Sequence, residues 1–188
     1  MPRFGSEEMG GMGCLITNKI RGSHFTCPSR GQAESITAAL FGLLAGNATV
    51  KCAIYRKSDN KLIGVTNELL INFGSPPEVY WVTFDFPEPK PILEAGVDYW
   101  LVAWSKAGTT EANIRFADET VRGGEQVLTY NSFPEAWSLE RISRRYSLYC
   151  TYTETPPAPP ITWWQIAMLI LAVLGASYAG YRLVRKGG

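Results

Sequence analysis

Histidine is nearly missing from this chain: His24 is the only one among 188 residues. No G-x-S-x-G turn occurs either, so a hydrolytic triad has no base in a recognisable setting and a metal site has no histidine pair. His24 falls in an apparent strand and reads as a structural residue with a satisfied side chain. Basic clusters are also missing. All 17 acidic residues and 15 of the 18 basic ones precede residue 161, so residues 1–160 carry a net charge of −2. Phosphate contacts need concentrated Lys and Arg, which excludes nucleic acid as the expected partner. Cysteine is sparse, and the spacing of Cys14, Cys27, Cys52 and Cys150 fits no zinc motif. Glycoside hydrolysis needs only two carboxylates, and Asp85, Glu88, Asp98, Asp118 and Glu119 are available, but nothing places two of them across a cleft. No enzyme and no cofactor are expected. Asp59-Asn60 and Asp118-Glu119 supply hard oxygen atoms that calcium could use, without the ordered spacing of a dedicated loop.

Charge is absent altogether from residues 161–181, ITWWQIAMLILAVLGASYAGY, and returns at Arg182, Arg185 and Lys186. At about 1.5 Å rise per residue, a helix over this span matches a hydrocarbon core of roughly 30 Å. Trp163 and Trp164 at one end, with Tyr178 and Tyr181 at the other, suit the headgroup region. The expectation is a transmembrane helix over 161–183 with a basic cytoplasmic tail at 184–188, its bilayer contact marked by Trp163, Trp164, Tyr181 and Arg182. The positive-inside rule then places the preceding domain outside the cell. One observation opposes that direction: residues 1–22 are charged and glycine-rich, with no apolar signal segment. A tail-anchored cytosolic domain, a start placed too late, or a fragment of a longer chain would each account for it. Ala172, Ala176 and Gly180 recur every fourth residue, a spacing that lets helices self-associate.

The body reads as strands. Val50, Cys52 and Ile54 alternate with Lys51, Ala53 and Tyr55, and Ser58-Asp59-Asn60-Lys61 makes a polar turn, so residues 49–67 form a hairpin. Val82, Phe84 and Phe86 make another alternating face, ended by the prolines of PEPKP. Glu94-Ala95-Gly96 marks a turn before VDYWLVAWS. Shorter strands are expected at 113–117, 126–130 and 146–153, with 24–27 and 35–43 in front. Residues 35–43 have helical propensity, but their neighbours favour a strand. Many short strands with turn signals and little helix give an all-β fold, an antiparallel jelly-roll-like β-sandwich over 23–153. Residues 1–22 are expected to be a loose arm or an edge strand. The proline-rich 154–160 favours a polyproline stalk before the anchor.

The series GSHFTCPSRGQAESITAAL, VKCAIYRKSDNKLIGVTNE, WVTFDF, LEAGVDYWLVAWS and YSLYCTYT is similar to jelly-roll β-sandwich modules of microbial and viral surface proteins, which resemble carbohydrate-binding modules. The resemblance covers roughly residues 23–153 and implies a fold. It assigns no binding residue, because the matching positions shape strands and turns.

Binding through aromatics is the activity the residues themselves favour. Trp100 and Trp104 share one side of their strand, about 13 Å apart at roughly 3.3 Å per residue. Trp137, Tyr130, Trp81, Tyr80 and Phe133 are further stacking candidates. Indole faces stack on the C–H faces of sugars, so Trp100, Trp104, Trp137 and Tyr130 are the expected glycan contacts. Core burial is the weightier reading for Trp100 and Trp104, and Trp137 in NSFPEAWS is the aromatic expected to be exposed. The expected function is a membrane-anchored surface module for glycan binding or adhesion. The alternative is a structural envelope, coat or filament-anchoring protein whose partners are other proteins, joined through strand edges. If the first and last strands are neighbours, Cys27 and Cys150 are the disulfide pair to test. Cys52 and Cys150 as small buried thiols fit equally well. Asn47-Ala48-Thr49 is a formal glycosylation sequon.

Overall fold

The structure is a computed structural model and describes residues 1–75 and 78–155. These residues form thirteen strands. The first seven are β1 (Arg3–Gly5), β2 (Met12–Leu15), β3 (Lys19–Thr26), β4 (Gly31–Gly42), β5 (Gly46–Arg56), β6 (Lys61–Val65) and β7 (Leu69–Phe73). They are followed by β8 (Tyr80–Asp85), β9 (Ile92–Leu93), β10 (Asp98–Ala107), β11 (Ala112–Val127), β12 (Glu140–Tyr146) and β13 (Leu148–Glu154). Every ladder between these strands is antiparallel. The fold is therefore all-β and sandwich-like.

Two layers follow from the pairing. In one, β4 lies between β13 and β8, because Ser35 pairs with Thr151 on one side and Asp85 on the other. β1 continues this layer beyond β13. In the other layer the order runs β12, β11, β3, β10, β5, and then β6 and β7 along the far side of β5. Strand β11 joins the two. Its first residues pair with β4 and β2, its last with β3, and a register shift between Asp118 and Gly123 bends it from one layer to the other.

Period-2 patterning explains the space between the layers. Val50, Cys52 and Ile54 of β5 are buried there with Tyr99, Leu101 and Ala103 of β10, facing Ile36, Ala38 and Leu40 of β4 and Phe84 of β8. Residues 35–43 are strand rather than helix, since β4 is covered on both faces from Ile36 to Gly42 and its apolar run satisfies a central position. The 57–60 turn closes with Asn60 at φ 53° and the Lys61 amide donating to Asp59 Oδ1 at 3.2 Å.

Several sequence expectations are corrected. Of the two readings of residues 1–22, the loose arm gives way to strands built into the sheet: Phe4 is buried in the core, β1 pairs with β13 at the sheet edge, and β2 pairs with β11. The two short strands at 113–117 and 126–130 are parts of the single β11, with residues 128–130 outside it. Strands β7 and β12 had no counterpart: the apolar LLINF of β7 shows no period-2 alternation, and ERISRRY of β12 is largely charged. Among the described residues no helix is long and apolar enough to cross a membrane. The proposed anchor and its Trp163, Trp164, Tyr181 and Arg182 lie outside the described residues, as does the stalk beyond Thr155.

Candidate functional site

Trp100, Val102 and Trp104 do share one side of β10, as their spacing requires, but that side is not open. With Ile20 of β3 and Ala53 and Tyr55 of β5 they form a second apolar cluster, separate from the inter-layer core. The irregular segment between β11 and β12, residues 128–139, closes over it by inserting Phe133 and Trp137. Trp100, Trp104 and Trp137 are 2%, 0% and 1% exposed, so none of them can stack on a ligand in this conformation. The expectation that Trp137 is exposed is therefore corrected: its ring packs edge-on against Trp100 at 5.2 Å and beside Tyr55 at 5.7 Å. Room for it comes from Gly124 on β11, where a Cβ would stand 3.0 Å from the Trp137 ring.

Tyr130 is half-buried and belongs to the closure. Its ring lies 5.0 Å from Trp104, its amide donates to Asn18 Oδ1 at 3.1 Å, and its hydroxyl donates to the Glu68 carboxylate. Lys51, opposite Trp104 in the ladder, sits over the rings of Tyr130 at 4.4 Å, Phe133 at 5.3 Å and Trp104 at 5.4 Å. Its ammonium also donates to the Asn131 carbonyl. Burial lowers the Lys51 pKa from its ordinary value, with Glu68 opposing. The flap is pinned at its other end by Trp137 N–H to the Asn60 carbonyl at 2.9 Å and Leu62 N–H to the Glu135 carbonyl at 2.8 Å.

The opposite outer surface is different. On the β4 layer, Ala39 pairs with Trp81, Thr37 with Thr83 and Tyr149, and Ser35 with Thr151 and Asp85. The alternate residues Val82, Phe84, Leu148 and Cys150 point to the core, so Trp81, Thr83, Tyr149 and Thr151 face outward. Trp81 is 36% exposed, the highest value among the described tryptophans. Its ring lies 5.6 Å from Tyr149, and the Arg3 guanidinium covers Tyr149 at 5.0 Å while pairing with Glu7 at 2.8 Å. Gly5, at φ +130°, lets β1 come this close, since a Cβ there would stand 2.5 Å from Tyr149 Cα. Thr37 and Thr83 hydroxyls share a hydrogen bond at 2.9 Å. The result is two adjoining aromatic rings on a flat face edged by hydroxyls and the Asp85 carboxylate. Such a surface offers ring faces for C–H stacking and polar atoms for hydroxyl groups. The period-2 pattern of YSLYCTYT already contained the Tyr149 position.

The remaining candidates have other partners. His24 lies edge-on to Trp100 at 4.9 Å. Asp59 holds the Arg56 guanidinium through both oxygens, at 3.1 and 2.7 Å, and Glu119 pairs with Arg122 and Arg145. Among the described residues no group of three or more potential metal ligands is gathered. No disulfide joins Cys27 to Cys150: all four cysteines are free thiols, and both of these lie in the inter-layer core. Burial raises the pKa of Cys27, Cys52 and Cys150. Asn47 of the sequon sits in the β5–β7 ladder with its side chain accepting from Thr109 N–H at 3.4 Å. No family model matches the chain, and no curated protein is similar to it.

Proposed function

We propose that this protein is a membrane-anchored surface module that binds glycans on the outer face of its β4 layer. The observation that carries this reading is the half-open Trp81 ring beside Tyr149, on a face edged by Thr83, Thr151 and Asp85. The stacking role expected of Trp100, Trp104 and Trp137 moves to this pair. The anchor rests on the uncharged 161–181 stretch and its aromatic and basic ends, which also favour an external domain and a cytoplasmic C-terminus. The jelly-roll relationship rests on the sequence resemblance and on an all-β sandwich-like fold. A glycan array probed with the detergent-solubilised full chain tests the reading. Binding to a set of saccharides that is lost in Trp81→Ala supports it, and absence of binding to any glycan overturns it.

A second reading has one observation in its favour. Among the described residues β8 forms a ladder only with β4, so its other edge and Trp81 could receive a strand from another protein. Oligomers of the full chain together with an empty glycan array would favour this structural role.

A further inference from the structure

A cavity of about 590 Å³ opens at one end of the β10 layer, away from the Trp81 face. Four parts of the fold build it: Thr26 ends β3, Arg56 ends β5 and is followed by Lys57 and Ser58 of the turn, Gly96 and Val97 lead into β10 at Asp98, and Arg141 projects from β12. Its size falls within the range of small-molecule sites. Three lining residues are cations and one, Asp98, is an anion. Asp98 is already engaged, accepting from Thr26 Oγ1 at 2.5 Å and from Lys57 Nζ at 2.9 Å. Arg56 is held by Asp59. Arg141 has no ion pair and no hydrogen bond from its side chain among the described residues. The cavity lining thus holds the exposed Arg141 guanidinium, unpaired among the described residues, and the Ser58 hydroxyl, while its carboxylate is internally satisfied. A planar fork of N–H donors matches a carboxylate.

We infer that this cavity binds a small polyhydroxylated carboxylate, with Arg141 receiving the carboxylate and the turn residues its hydroxyl groups. The chemistry is common to a hexuronate ring and an open-chain sugar acid, and it is independent of stacking on Trp81. Isothermal titration of the detergent-solubilised full chain with glucuronate, gluconate and neutral glucose tests it. Glucuronate is expected to bind at least about tenfold more tightly than glucose, and Arg141→Gln to weaken it by about tenfold. Gluconate binding alongside glucuronate would identify the carboxylate and its hydroxyls as sufficient; glucuronate binding alone would assign the site to the sugar ring. No glucuronate binding, equal binding of glucose, or an unchanged affinity in Arg141→Gln overturns the inference. Because the readout is discrimination between an acid and its neutral counterpart, its failure leaves the array result at Trp81 to stand or fall separately.

Discussion

Two carboxylates on the surface of the fold are held ionised by partners that exist only when the chain is folded. Glu34 accepts a hydrogen bond from Lys90 and a second from Thr153 at 2.8 Å, and its pKa is lowered from an ordinary 4.5. Asp98 is lowered from 3.8, first by Thr26 and then by Lys57. A carboxylate whose folded pKa is depressed adds stability above its unfolded value and loses it as the pH falls through the folded one. Urea midpoints should therefore hold steady above about pH 5 and decline below the ordinary carboxylate range. Glu34→Gln should flatten that acid decline; an identical profile in the variant would show that Glu34 does not drive it. The cysteines make a second residue-scale prediction. Cys27, Cys52 and Cys150 are buried with raised pKa values, whereas Cys14 is half-buried beside the Tyr146 hydroxyl at 3.8 Å. Thiolate is the reactive form, so a thiol reagent near pH 8 should label Cys14 well before the other three, and all four after unfolding.

The flap over β10 is the element that most changes the meaning of the sequence. Its cluster buries three indoles whose N–H groups have no hydrogen-bond partner among the described residues. The packing is favourable and the unpaired donors are costly, at about 1–3 kcal/mol for each group left unsatisfied. Trp137→Ala should cost about 3–5 kcal/mol in urea unfolding, while Trp137→Phe should cost much less because no indole hydrogen bond is lost. Equal losses in both variants would contradict this account of the cluster. Period-2 alternation made the face of Trp100 and Trp104 legible, along with the β5–β6 hairpin and the core faces of β5 and β8. What it could not give was the cover. Residues 128–139 have no regular period, and whether they project into solvent or fold back depends on Gly124 of β11, Lys51 of β5 and Asn60 of the β5–β6 turn. The same non-local dependence hid the continuity of β11, whose bend at 118–123 looks like a loop until both layers exist. Tyr149 was readable from alternation, but its pairing with Trp81 needed the β8–β4–β13 order.

At the scale of the whole molecule, two surfaces have been separated. One outer face is sealed by the chain itself, and the other presents Trp81 and Tyr149. The proposed anchor would hold either orientation of the domain at a bilayer, and its direct consequence is partitioning. The full chain should sediment with membranes and resist alkaline washing, and truncation after residue 160 should release it; a full chain extracted by alkali would contradict a spanning segment. The central claim concerns Trp81, and its sharpest test compares three proteins on one immobilised glycan selected from the array. Trp81→Phe keeps a stacking ring and should bind within about tenfold of the unaltered chain, whereas Trp81→Ala should lose more than about tenfold with its thermal midpoint nearly unchanged. Wild-type affinity in Trp81→Ala would contradict the account.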